Sequence, residues 1–564
     1  MLNYKLFSQK KIFMKSINKK QFGIFAILLL ILTAGCKKSF LEVSPPSQIE
    51  ESNFFKTELQ ANQALAGVYH VLQWGNINQG HTPLMGWAEA ASDDAYAGGG
   101  SSSDAVGVKG LDNFKATAAA PFNANDGTYG SVWSIYFQGI ARANTYLANV
   151  DRVEASDDFK NETAAEAKFL RAHFYFDLFK WFENVPLITT QQTPDEYNQP
   201  QAPTQDVLNQ IAKDLTDAMV YLPKKSLKAN NGHATYWAAS ALLARVYLYG
   251  KGVYGTELTV GGTTIDAAKI RTNLDEIINN GGFNLIPSYS DVWRKANEMG
   301  VESVWEVDCS SLAYMTGSTS DQYKAQGNYN VLYFGPRGVN GNPYTAGFSN
   351  AIPTEALYEE FETTPTVDPR RAATILVLKS AADAPGLIKG WQHTGYFNNK
   401  YNTTSEYLTS SGLSSINWAQ NIHVIRFSDV LLMAAELNIG VDQAKADAYL
   451  NRVRTRAGMP NRTATIDNIR HERRVEFGGE GVRYWDLLRY GLPYAKQKIN
   501  ESSLVGPYYN GTTTVGGPVV FTAGANTPAN GYVMAWDDSK RGHLPIPPSQ
   551  VILSNGVLKQ NPGY

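Results

Sequence analysis

Between Asp157 and Phe182, apolar side chains recur at Ala167, Leu170, Phe174, Leu178 and Trp181. Their spacing of three or four residues places them on one face of a helix. The stretch His233–Tyr249 repeats the pattern with Trp237, Ala241, Ala244 and Leu248, while Leu242, Leu243 and Val246 make the opposite side apolar as well. A helix apolar on most sides is buried between neighbours. Ile425–Leu437 and Ala444–Ala457 predict a second pair, the latter with Ala446, Leu450, Val453 and Ala457 in register and Gly458 as its stop. Small residues alternating with large ones let helices approach closely, so the pattern predicts a mostly α chain built from helix hairpins.

Between these helices the periodicity lapses into stretches rich in Gly, Ser, Asn and Tyr: 97–130, 251–264, 310–350, 390–420 and 505–535. They exceed the usual connection length, which marks them either as sites of binding chemistry or as surface decoration.

The first residues follow another pattern. Lys15, Lys19 and Lys20 precede an apolar run from Phe22 to Leu32, which ends in Thr33-Ala34-Gly35-Cys36. The run is shorter than the ~20 residues a membrane-spanning helix needs. It predicts a signal peptide over 1–35, with Cys36 as the lipidated first residue of the mature chain; Met14 offers a second start at ordinary signal-peptide spacing. Lys37 and Lys38 follow Cys36.

Residues 1–35 carry six of the 50 basic residues and none of the 52 acidic ones. The remaining 44 basic and 52 acidic residues give a net charge of −8, which argues against nucleic acid as a partner. The other cysteine, Cys309, has no intramolecular partner once Cys36 is lipidated, so packing must hold the fold. His471-Glu472 begins like a zinc-protease motif, but Val475 stands where the second histidine is required. No cofactor is expected. Calcium, which needs only oxygen ligands, is compatible with the composition as a structural ion.

The densest charge lies near the C-terminus, in Ile469-Arg470-His471-Glu472-Arg473-Arg474-Val475-Glu476-Phe477, Gly478-Gly479 and Glu480-Gly481-Val482-Arg483-Tyr484-Trp485-Asp486-Leu487-Leu488-Arg489. Glu472 and Glu476 lie one helical turn apart, and Arg473, Arg474, Arg483, Asp486 and Arg489 can close ion pairs around the turn. Phe477, Trp485 and Leu488 among these charges predict a half-buried structural cluster. The competing reading makes Glu472 and Glu476 the acid and base of a glycosidase. Adjacent arginines keep both ionised, which opposes the raised pKa of a general acid, so no catalytic residue is assigned.

This segment resembles the C-terminal pattern of the SusD/RagB family of outer-membrane nutrient-binding lipoproteins. Three other stretches agree in order: Phe40-Leu41-Glu42 with Pro45-Pro46; Arg171-Ala172-His173-Phe174-Tyr175 through Val185-Pro186-Leu187; and Leu544-Pro545-Ile546-Pro547 with Gln560-Asn561-Pro562-Gly563-Tyr564. The resemblance implies a tetratricopeptide-like helix-pair scaffold carrying long irregular loops, with a helical part over 36–290 packed against a second part over 291–564. It implies a non-catalytic lipoprotein, anchored to the outer membrane and displayed at the surface, that captures glycan and passes it to a SusC-like TonB-dependent transporter. A peptide-binding, RagB-like uptake protein is the alternative.

Family ligand surfaces are built from loops, and sugars are held by flat aromatic rings joined with carboxylates, amides or guanidinium groups. Two regions have that content. The first supplies Trp74, Asn76, Asp93, Asp94 and Tyr96, and the second Tyr323, Asn328, Tyr329 and Arg337. Trp87, between Met85 and Ala88, is expected to be internal.

Overall fold

The structure is a computed structural model that describes residues 54–74, 84–101, 103–104, 106–116, 129–310, 327–341, 343–378, 383–408, 418–502 and 534–564, the side chains of 74 and 129–131 excepted. Residues Lys56–Tyr564 form one compact unit. Ten helices position the features of interest. They are α1 (Glu58–Tyr69), α2 (Tyr129–Asn149), α3 (Asp157–Phe182), α4 (Thr204–Tyr221), α5 (Tyr236–Tyr254), α6 (Ala267–Asn280), α7 (Phe427–Asn438), α8 (Gln443–Arg456), α9 (Ile466–Phe477) and α10 (Arg483–Arg489).

Helices α1 to α8 pack in chain order, each against the next, which stacks helix pairs into a tetratricopeptide-like scaffold. The sequence explains their limits. Ser156 caps α3 by accepting from the Phe159 N–H, and Asp157 and Asp158 favour its positive end. Ala167, Leu170, Phe174, Leu178 and Trp181 are all buried, as the periodicity requires. Thr235 caps α5, which starts three residues later than its pattern suggested and runs to Gly255, whose φ of 70° ends it. Gly458, also at φ 70°, follows α8.

Two excursions from the sequence reading have physical causes. Ile425 and Arg426, expected in a helix, belong to a strand because Ile425 pairs with Trp305 and Arg426 with Ser303. The stretch 251–264 begins as the last turn of α5 and continues into an antiparallel hairpin, Leu258–Val260 with Thr263–Ile265.

Short antiparallel strand pairs join distant parts of the chain. β1 (Ala95–Ala97) pairs with β3 (Ala351–Pro353), and β2 (Ser303–Val307) pairs with β4 (Ile422–Arg426). Both pairs are fully buried apart from Val424 in β4.

Candidate functional site

Two features compete for function, and geometry separates them. Helix α9 carries charge on three faces, yet Glu472, Arg473, Arg474, Val475, Glu476 and Phe477 are all buried. Glu472 accepts from Arg454 at 2.7 Å and from Arg370 at 2.5 Å. Glu476 accepts from Arg426 at 2.9 Å, from Arg370 at 3.1 Å and from Arg456. Both carboxylates have a relative exposure of 0%. Burial works to raise the Glu476 pKa, but Arg456, Arg426 and Arg370 override it and hold the carboxyl well below its ordinary range.

On the second face Arg473 donates to Asp486 at 2.7 Å and to Asp429 at 2.6 Å, while Arg489 joins Asp486 to Glu436. On the third, Arg474 reaches Asp94 at 2.7 Å, Asp93 at 3.0 Å and Glu360 at 2.8 Å. A glycosidase pair must flank an open cleft. These glutamates face guanidinium groups instead, and each buried carboxylate is matched by them.

The same geometry corrects part of the sequence reading. Asp93 and Asp94, expected among the ligand contacts, are buried partners of Arg474, and Asp93 also takes a two-pronged bond from Arg483. Tyr96 lies inside β1, paired with Ile352. Asn328 is fully buried, donating to the Gln420 carbonyl at 3.1 Å, and Tyr329 packs edge-on to Phe348. Packing claims these groups: Asp93 and Asp94 sit in the buried turn before β1, Tyr96 is within β1, and Asn328 caps the short buried helix that Tyr329 begins. Arg337 is partly open, but its guanidinium bonds to Asp104 at 3.1 Å and to the Phe348 carbonyl at 2.7 Å. Trp87 is internal, edge-on to Trp181. Cys36, Asn76, Tyr323 and the Trp74 side chain lie outside the described residues.

The open feature is a cleft of 820 Å³, within the range of ligand pockets. One wall is α1, from Asn62 to Tyr69, continued by His70, Leu72 and Gln73. The turn Asn231-Gly232-His233 before α5 forms another wall, and the end of β2, Trp305 to Asp308, with Ser310, forms the third.

The walls are braced from behind. Glu166 on α3 accepts from the Tyr69 hydroxyl and pairs with His233 Nδ1 at 2.7 Å, while Tyr69 accepts from the Ala234 N–H at 2.8 Å. The bond to Glu166 raises the His233 pKa, against the effect of burial. His423 on β4 lies 3.3 Å from Glu306. Gln73 donates to the Asp308 carbonyl at 3.4 Å, and both Gln73 Oε1 and the Trp305 indole N–H lack a hydrogen-bond partner among the described residues. A second cavity, between α3, α5 and α10, measures 170 Å³ and is too small for an oligosaccharide. Its Lys180 and Asp177 are paired at 2.8 Å.

Comparison with known proteins places the chain. A profile of the SusD family matches residues 301–564, and one described as "Starch-binding associating with outer membrane" matches residues 39–248. The fold is similar to that of a solved "Laminarin binding SusD-like protein", with 31% identity, 90% of this chain and 100% of that chain covered, and a TM-score of 0.74. The chain belongs to the SusD family. This SusD-family chain is also similar to surface glycan-binding protein A from Bacteroides fluxus, at 27% identity over 90% of this chain and 100% of that one, with a TM-score of 0.74. A SusD-like protein of Bacteroides ovatus is 26% identical over 85% of this chain and 83% of its own length.

Within the SusD-family fold, sequence reasoning missed Tyr69, Gln73, His233, Trp305 and Asp308 as cleft residues. No local signal could have found them, since they come from three separated segments that only the helix stack and the β2–β4 pairing bring together. It also missed Arg370, Arg426, Arg454 and Arg456, which neutralise Glu472 and Glu476 from outside the charged C-terminal run.

Proposed function

We propose that this chain is a non-catalytic, surface-displayed lipoprotein that binds oligo- or polysaccharide at the 820 Å³ cleft and delivers it to a SusC-like TonB-dependent transporter. The observation that carries the reading is similarity along almost the whole chain to proteins named for laminarin binding and surface glycan binding. The cleft adds chemistry of the right kind. Asp308, the Gln73 amide and the Tyr69 ring line one concavity, with Trp305 buried in its wall, and such groups orient hydroxyls and cover sugar C–H faces.

Capture followed by release suits affinity near the micromolar range or weaker. The closed pairing of Glu472 and Glu476 supports binding without hydrolysis, and no cofactor enters the scheme. Attachment to the outer membrane would come through a lipidated Cys36. Among the described residues no helix is long and apolar enough to cross a membrane.

The test is affinity electrophoresis of the mature protein in gels containing laminarin and a broader glycan panel, with parallel assay of released sugar. Retardation without release supports the proposal. Release that Glu472→Gln abolishes would replace it with an enzyme, and retention of peptides alone with a peptide carrier. Extraction from native membranes in mild detergent should bring a TonB-dependent barrel with the protein, and Cys36→Ala should shift it to the soluble fraction.

A further inference from the structure

His471 on α9 meets two carboxylates at once. Its Nδ1 lies 2.7 Å from Glu360 and its Nε2 lies 3.1 Å from Glu362. Glu360 ends the short helix Glu355–Glu360, and Glu362 opens the turn that follows.

A neutral imidazole has one donor nitrogen and one acceptor nitrogen, whereas an ionised carboxylate only accepts. Two ionised carboxylates on the two nitrogens therefore require a ring that carries both protons. Other cations keep the glutamates ionised. Arg474 holds Glu360 at 2.8 Å, while Arg454 and Arg462 hold Glu362 at 2.9 and 3.1 Å. The neighbouring charges on α9 are already matched, Glu472 by Arg370 and Arg454, and Arg470 by Asp467 at 3.2 Å. Glu359 is exposed to solvent. Burial works against a charged ring, but the bond and charge of Glu360, with Glu472 and Glu362, raise the His471 pKa from its ordinary 6.5.

The contact holds more than itself. From Glu362 the chain folds back, and the Asp368 N–H donates to the Glu362 carbonyl at 2.8 Å. Asp368 accepts from Arg370 at 2.7 and 3.0 Å, and Arg370 is the guanidinium shared by Glu472 and Glu476. His471 thus fastens one end of a closed turn whose other end steadies the buried ion cluster.

We infer that His471 is a doubly protonated latch, which holds the Glu362–Asp368 turn against α9 at neutral pH and releases it in alkaline solution. A group whose pKa is raised on folding contributes stability that is complete below its unfolded value and is lost as pH rises through the folded one. With one proton gone, the ring keeps a donor for one glutamate and turns a lone pair toward the other. His233 and His423 also hold their protons more tightly in the fold, so the test follows this turn and not the melting of the whole protein.

The experiment titrates the full mature protein, with isotope-labelled histidine rings read by nitrogen NMR, from about pH 6 to about pH 10. The signal missing in His471→Gln or His471→Asn identifies the residue. Both of its nitrogens should carry protons at about pH 7, and the ring should titrate above its ordinary value. In parallel, hydrogen exchange with mass spectrometry reads the amides of 362–368, with α3 as the control. After correction for the intrinsic pH dependence of exchange, opening of the turn should rise about tenfold once His471 is neutral, the effect of losing one bond between charged groups. His471→Gln should show the open level at every pH.

A ring with a single proton at about pH 7 would overturn the inference. So would a turn whose corrected exchange is the same before and after the ring titrates, or the same in the parent and His471→Gln at neutral pH.

Discussion

Asp93 and Arg483 stand 390 positions apart in the chain and meet in the interior, where the guanidinium donates to both carboxylate oxygens at 2.7 and 2.8 Å. Burial alone would raise the Asp93 pKa, but Arg474 and Arg483 hold it well below its ordinary range. The segment before β1 is thereby tied to the α9–α10 turn. Asp93→Asn leaves two buried guanidinium groups short of a counter-charge and should cost about 3–5 kcal/mol, the usual penalty for breaking a buried pair from one side. Urea unfolding of the mature protein, followed by tryptophan fluorescence, measures it; a loss under about 1 kcal/mol would contradict the account.

Glu476→Gln distinguishes structural from catalytic charge. It removes the counter-charge shared by Arg370, Arg426 and Arg456. Stability should fall by about 3–5 kcal/mol, while glycan retention, measured where the variant is still folded, stays within about twofold of the parent because the cleft is built elsewhere.

Acid should unfold the protein through the same carboxylates. Burial pushes Glu360 up, but the His471 bond and the Arg474 charge bring it from 4.5 down to about 2. A group depressed on folding adds stability above its unfolded pKa and loses it as pH falls through the folded value. Glu476 and Asp93 act in the same direction. Melting temperature should therefore drop steeply between about pH 4.5 and 2; a flat profile across that window would be inconsistent.

Gly252 sets how closely the scaffold meets the charged cluster. A Cβ there would lie 2.0 Å from the Arg489 carbonyl oxygen, backbone that cannot yield cheaply. Gly252→Ala should destabilise by about 1–3 kcal/mol or more despite the better helix propensity of alanine. Thermal melts of the pair decide the sign.

Gln73→Ala removes an amide from the cleft without touching the core. Its Oε1 lacks a partner among the described residues. Affinity for a bound glycan should fall about two- to tenfold, as for one lost hydrogen bond, with melting unchanged. Calorimetric titration reads the first and differential scanning the second.

The amphipathic helices were legible because helix periodicity is a local property. Asp157–Phe182 was bounded to the residue by its cap, its first-turn acids and its apolar steps. The strand at Ile425 was not legible, since its partner Trp305 is 120 residues away and a short apolar run fits either period. Asp93, Asp94 and Asn328 looked like loop polar groups for the same reason. Their sequence shows carboxylates and amides but not the Arg474, Arg483 and Gln420 groups that claim them.

The chain alone determined which segments become helices, that charge of both signs is concentrated from Arg470 to Arg489, and which family it resembles, since each is written in neighbouring residues. Tertiary structure alone decided which charges are neutralised, which aromatics are buried and where the cleft opens. Those outcomes depend on desolvation and pairing between residues brought together from hundreds of positions apart, and a local pattern carries no record of the partner.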